Sequence, residues 1–294
     1  MNTRQQFLTH LELRFTEFFQ EETRILGETN VTGGDINQCH LLETTRGRYF
    51  MKVNASIFGL DFFEKEARGL VVLADAGVIK VPRPLFDGKF HQQVYLVMEY
   101  LQQGDAAKDC WVRFGEAMAA LHKNSRPEFG LDYPNYIGRL HQKNDPHKLW
   151  SDFYAQERIL PLARKAFDKR MLSAEEYEMA EALCGKLRQL IPEEAPALLH
   201  GDLWSGNFMH LEGGQMAIFD PSVYYGHREM DMGMALLFGG FDPMFFEAYA
   251  SAFPLVDGWN IRTDLFQLYP KLVHLLLFGG QYREEVCNTL KKYR

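Results

Sequence analysis

Cysteine is scarce in this 294-residue chain: Cys39, Cys110, Cys184 and Cys287 stand far apart, and no C-x-x-C pair occurs. Neither a disulfide framework nor a thiolate zinc site is indicated, which leaves reduced thiols. Long apolar runs are missing too. No stretch approaches the roughly 18 residues a membrane span needs, and the start, MNTRQQFLTHLELRF, lacks the apolar core of a signal peptide. The expectation is a soluble cytoplasmic protein that takes no membrane partner. There is no Lys/Arg-rich run, and the net charge is −7. A surface that tracks a phosphate backbone is therefore not expected; a small molecule is the favoured partner and nucleic acid is not. Repeats and low-complexity tracts are absent as well. What remains is an ordinary globular composition, 46% hydrophobic and 24% charged, in a chain long enough for two lobes with a core each.

The apolar pattern changes character about a third of the way along. Residues 3 to 20 carry apolar positions at helical spacing (Phe7, Leu11, Phe15, Phe18), and strand-like runs follow near 36–43 and 48–53. Asp61 is placed to cap a helix over 62–76 that stops at Gly77. VPRP (81–84) reads as a breaker, and the strand-like HQQVYLVMEYL (91–101) ends in the polar QQGD. Beyond it the spacing predicts helices near 107–123, 147–169, 173–190, 229–238, 243–252 and 261–278. The exception is LLHGDLWSGNFMHLEGGQMAIFD (198–220), which reads as strand, loop, strand. The expected architecture is α+β and bilobal: a β-rich lobe with one helix over 1–101, then a mainly helical lobe over 102–294, with a cleft between them.

In that exceptional stretch Asp202 and Asn207 lie five residues apart and Asp220 closes the next strand, so three oxygen donors can converge. A carboxylate with an Asn carbonyl suits Mg²⁺, and a further carboxylate can accept a proton from a hydroxyl nucleophile. Phosphoryl transfer also needs groups that neutralise phosphate charge. TGGDIN (32–37) offers Gly33 and Gly34 for a phosphate-cradling loop, YFMKVN (49–54) puts Lys52 on the following strand, and Glu66 lies in the next helix. Each alone has a bland reading, a turn or a solvated face. Together they run loop, lysine, glutamate, connector, base and two metal ligands, which is the protein-kinase-like order. Glu64 competes with Glu66, since two residues apart on a helix they face different ways.

HGDLWSGNF (200–208), FDPSVYYGHREMDMGMALLFGGF (219–241), NYIGRLHQKN (135–144) and LWSDFYAQERILPL (149–162) closely resemble the fructosamine kinase, or ketosamine 3-kinase, family. The resemblance runs almost end to end. Aminoglycoside and choline kinases share the H-G-D and D-x-x-x-x-N elements, typically with His-Pro or a similar pair where this chain has Trp204-Ser205. It implies ATP- and Mg²⁺-dependent phosphorylation of the 3-hydroxyl of a ketosamine. Asp202 would be the base, Asn207 and Asp220 the Mg²⁺ ligands, Lys52 the phosphate-binding lysine supported by Glu66, and Gly33 and Gly34 the loop over the phosphates. Met98, Glu99, Tyr100 and Leu101 would form the adenine hinge. His200 is expected to shape the loop. Asp231 either braces that loop or caps a helix. Trp204 is expected as a platform for the sugar face, with a core aromatic as the alternative; Tyr224, Tyr225 and Arg228 are further candidates for that pocket. Other readings are a kinase for a different hydroxylated amine and a nucleotide-binding module without catalysis. Relative to protein kinases, Gly201 replaces the regulatory Arg, Pro-Ser follows Asp220, and A-P-E is absent, so control by activation-loop phosphorylation is not expected. A thiol switch at Cys39 is conceivable, a buried structural thiol the commoner case.

Overall fold

The computed structural model describes residues 3–31, 37–55 and 61–294. Helix α1 (Thr3–Phe19) precedes strands β1 (Ile25–Val31), β2 (Gln38–Thr44) and β3 (Gly47–Ala55); then come helix α2 (Phe62–Asp75) and the hairpin β4 (Pro84–Phe90) and β5 (Gln93–Glu99). The five strands form one antiparallel sheet in the order β1-β2-β3-β5-β4. Two-residue alternation divides its faces. Met51, Val53, Tyr95 and Val97 pack with Phe7, Leu11 and Phe15 of α1, while Val94, Leu96 and Met98 pack with Leu70 and Leu73 of α2. Lys52, between Met51 and Val53, therefore falls on the α2 side.

The second lobe holds α3 (Cys110–His122), the hairpin β6 (Asn135–Ile137) and β7 (Leu140–Gln142), and α4 (Trp150–Phe153), which runs through a π-helical turn over Tyr154–Ile159 into α5 (Leu160–Asp168). Next are α6 (Ala174–Cys184), α7 (Leu187–Leu190), β8 (Ala197–Leu199), β9 (Phe208–His210), β10 (Met216–Ile218) and β11 (Tyr224–Gly226). Helices α8 (Glu229–Leu237), α9 (Pro243–Ala252), α10 (Trp259–Phe278) and α11 (Arg283–Lys292) complete it. Among the described residues, no helix is long and apolar enough to cross a membrane.

Three expectations need correction. VPRP is not wholly a breaker: its last residue, Pro84, begins an edge strand, where a missing N–H costs least. The stretch 198–220 is not one hairpin, because β8 pairs with β11 and β9 pairs with β10. Asp61 gives α2 no side-chain cap; its Oδ1 accepts the Tyr136 hydroxyl hydrogen bond at 3.1 Å. Gly77, by contrast, does follow the helix end in the left-handed region, at φ 67°.

A buried polar network fixes the segment after Asp220. Arg158, 0% exposed, donates to Asn144 Oδ1 at 2.6 Å; Asn144 donates to Asn135 Oδ1, and Asn135 donates to the Val223 carbonyl at 2.7 Å. Gln142 reaches the neighbouring Ser222 carbonyl at 3.2 Å.

Buried histidine sets the acid limit of this lobe. His227 is completely enclosed, its Nδ1 accepts the Glu229 N–H, and burial drives its pKa from 6.5 down to about 4. The unfolded chain thus takes up a proton before the folded one does. The contribution is complete above about pH 6.5 and is lost as pH falls towards 4, roughly 2 kcal/mol at pH 5. The buried Asp202 carboxyl, raised to about 7, works in the opposite sense over this range, so the test uses Asp202→Asn: its thermal midpoint should be several degrees lower at pH 5 than at pH 7.5, and a flat profile contradicts this.

Candidate active site

The segment 200–207 is a tight turn that only certain residues permit. Gly201 sits at φ 82°, and a Cβ there would lie 2.1 Å from the Ser222 carbonyl oxygen. Only glycine lets the two segments close this tightly. The Ser222 N–H donates to the His200 carbonyl (2.9 Å) and the Phe219 N–H to the Asn207 carbonyl (3.0 Å). The loop carrying Asp202 and Asn207 is therefore tied at both ends to the segment carrying Asp220.

Around this turn the buried groups are satisfied. His200, 0% exposed, uses Nε2–H to donate to the Phe219 carbonyl (2.9 Å) while Nδ1 accepts the Asp202 N–H (3.3 Å), and burial lowers its pKa. It does not line the cleft. Asp231, in the first turn of α8, accepts from the N–H groups of His200 (2.8 Å) and Gly201 (2.9 Å) and from His122 Nε2 (3.2 Å). Of its two expected uses, bracing the loop is the one its bonds serve, since α8 has no side-chain cap.

Across the cleft, Lys52 is 4% exposed and its ammonium bonds Glu66 at 2.6 Å and also Asp220. Burial alone would lower its pKa, but the carboxylates of Asp220 and Glu66 outweigh it and the ammonium stays charged. Glu64 faces away and pairs loosely with Arg68. Asn207 donates Nδ2 to the Asp202 carbonyl (2.9 Å) and carboxylate (3.0 Å), so its Oδ1 keeps its acceptor capacity. Burial lifts the Asp202 carboxyl to about 7, against the opposing bonds from Asn207 and Trp204. That is a useful value for a base near neutral pH.

These groups share one cleft of about 690 Å³, lined by Lys52, Glu66, Asp202, Trp204, Asn207 and Asp220. Val31, Phe50, Met209 and Phe219 also line it, and none of these was singled out from sequence; on strands they read as ordinary core. Trp204 lies half-open over Gly206, where a Cβ would come within 2.3 Å of the indole. The core-aromatic alternative does not hold for it.

Other expectations fare differently. Gly33 and Gly34 lie outside the described residues. Met98 and Glu99 end β5 and Tyr100 and Leu101 follow it into the connector, as a hinge that offers backbone groups requires; the Glu99 side chain is taken by Lys80 (2.7 Å) and its N–H by the Arg83 carbonyl (2.8 Å). Tyr224 cannot touch substrate: it is 0% exposed, with the Arg158 guanidinium 4.1 Å over its ring. Arg228 is likewise buried, in a two-bond pair with Glu194, and Tyr225 packs into the core with Arg126 over its ring. Strand pairing of β11 with β8, invisible locally, turns this segment inward. Cys39 does line the cleft, and burial raises its pKa, which keeps it a thiol.

Comparison with known proteins gives this geometry a family. The fructosamine kinase family model matches residues 8–294. A “Probable ketoamine kinase” of Synechocystis is 38% identical over 275 residues, covering 92% of this chain and 90% of that protein. A chloroplastic protein-ribulosamine 3-kinase of Arabidopsis thaliana is 33% identical, covering 92% and 83%. The crystal structure of a candidate fructosamine-3-kinase from Thermobifida fusca superposes with a TM-score of 0.84 at 31% identity, covering 96% and 97%. An aminoglycoside phosphotransferase in ternary complex with AMP-PNP and hygromycin B shares the fold alone, at a TM-score of 0.62 and 16% identity, covering 96% and 98%. With the kinase-like order of groups converging on one cleft and a match along nearly its whole length, the chain belongs to the fructosamine kinase family.

Proposed function

We propose that this protein is an ATP- and Mg²⁺-dependent kinase that phosphorylates the 3-hydroxyl of a ketosamine, the adduct of a sugar with an amine. The observation that carries the reading is one cleft holding a charged, doubly paired Lys52 on one side and a raised-pKa Asp202 beside a half-open Trp204 on the other. The division into an ATP-binding lobe over 1–101 and a substrate lobe over 102–294 belongs to the same reading, as does cytoplasmic location, where ATP is supplied and the free thiols stay reduced.

Lys52 neutralises phosphate charge and Glu66 holds it in place. Asp202 takes the hydroxyl proton as that oxygen bonds to the γ-phosphorus and the bond to the β-phosphate oxygen breaks, releasing ADP. The Oδ1 of Asn207 and the carboxylate of Asp220 are a hard-oxygen pair that fits Mg²⁺. Held by these two residues, the ion would supply positive charge against the phosphate oxygens. Trp204 offers an apolar face for the sugar. Once the 3-phosphate leaves from the enolised adduct, hydrolysis frees the amine, which makes the activity a deglycation.

Incubation with Mg-ATP and a panel of ribulose-, erythrulose- and fructose-amines, an aminoglycoside and choline, followed by ADP release, tests the reading. Ketosamine-dependent ADP is expected. Release only with the aminoglycoside or choline assigns a different acceptor.

A further inference from the structure

The cleft continues past Trp204 into a wall of rings that the transfer chemistry does not use. The centroids of Trp204 and Phe238 are 6.0 Å apart, Phe238 and His274 4.8 Å, His274 and Phe278 5.3 Å, and His274 and Tyr282 5.2 Å. Met234, Pro270, Val273 and Leu277 line the same end. Beyond Trp204 these side chains come from α8 and Phe238 just after it, from the second half of α10, and from the turn over Gly280–Tyr282 that follows, brought together where α8 packs on α10.

Two properties distinguish this end. Phe238 and Phe278 are 40% and 55% exposed although they line a cavity. Apolar rings left open at the mouth of a polar site mark a contact surface for an apolar group. Further, the described residues lining this end include no carboxylate, Lys or Arg. His274 does not supply a charge either: Nδ1–H donates to the Pro270 carbonyl at 2.7 Å, and burial lowers its pKa.

We propose that this aromatic wall is the subsite for the amine substituent of the substrate, and that it selects adducts of apolar amines, aromatic or alkyl, over adducts of carboxylate-bearing amines. The inference rests on the ketosamine reading. In a ketosamine the nitrogen sits on C1, two carbons from the hydroxyl-bearing C3, so with that hydroxyl at Asp202 the substituent leads away from the reacting atoms. The wall begins at Trp204, whose side chain bonds Asp202, and is continuous with the reacting end. A protonated secondary amine passing the indole gains from its negative face, and an apolar substituent then covers Phe238 and Phe278. A carboxylate there meets no cation among the described residues lining this end and loses its water.

The test is the kcat/KM of the holoenzyme with Mg-ATP and the ribulosamines of methylamine, butylamine, benzylamine and glycine. Benzylamine and butylamine adducts are expected to exceed the methylamine adduct by about tenfold, from roughly half a phenyl ring of newly buried surface, with the glycine adduct lowest. In Phe278→Ser and Phe238→Ser the benzyl-to-methyl ratio should fall towards one through KM. Both positions are exposed, so melting temperature verifies that each variant is folded. Equal kcat/KM for all four adducts, or variants that keep the wild-type ratio, overturns the subsite while leaving the ketosamine reading intact. No turnover of any adduct overturns both.

Discussion

Replacing Asp202 by Asn should lower kcat by about 10² to 10⁴ while the protein becomes no less stable. Asn keeps the shape and can still accept the bond from Asn207 Nδ2, but it cannot take the hydroxyl proton. The stability half of the expectation follows from the carboxyl's pKa. Burial raises it from 3.8 to about 7, so the folded state resists ionisation and loses stability as pH rises from about 4 through 7. Removing the ionisable group should return roughly 2–4 kcal/mol at pH 7, read as a higher melting temperature. A folding defect would move activity and melting temperature down together, so opposite movement isolates the chemical role. Full turnover by the variant would falsify the assignment of Asp202 as base.

Substituting Lys52 by Met should remove both turnover and several kcal/mol of stability. The ammonium is shared by Glu66 and Asp220, and the two partners respond differently to its loss. Asp220's side chain is 39% exposed and can hydrate, whereas that of Glu66 is 11% exposed and would be left as a buried charge without a partner. Breaking a buried pair in this way costs about 3–5 kcal/mol. Adding Glu66→Gln should recover much of that stability by removing the orphaned charge, yet it restores no affinity for nucleotide phosphates. Circular-dichroism melts of the single and double variants, with ATP titrations, separate the two losses. If the double variant melts no higher than the single one, the buried pair is not the source; if either binds ATP as the wild type does, Lys52 is not the phosphate group.

Much of this site was legible because its chemistry is local. The HGDLWSGN turn brings its own glycine, carboxylate and amide within eight residues, and one bond that holds it, from Asn207 Nδ2 back to Asp202, spans only a few residues of sequence. Lys52 was legible for another reason: alternation along β3 sends it to the face opposite Met51 and Val53 whatever the strand pairs with. Glu66 over Glu64 needed the structure, since helical spacing says the two diverge but not which one meets the sheet.

Tyr224 shows where local reading fails. It stands four residues after Asp220, close enough in sequence to suggest the pocket, but whether a strand residue faces solvent or core depends on its partner. That partner is β8, some 25 residues back, under an Arg158 supplied by another helix. The ring wall has the same character: Phe238, His274 and Phe278 each read as a plain amphipathic-helix position, and they become one surface only where α8 packs on α10. By itself, then, the sequence determined the candidate groups and their order, because turn chemistry and strand alternation act over a few residues. Only the tertiary structure decided which side chains line the cleft, because that is set by contacts between segments tens of residues apart, which leave no periodic trace in either one.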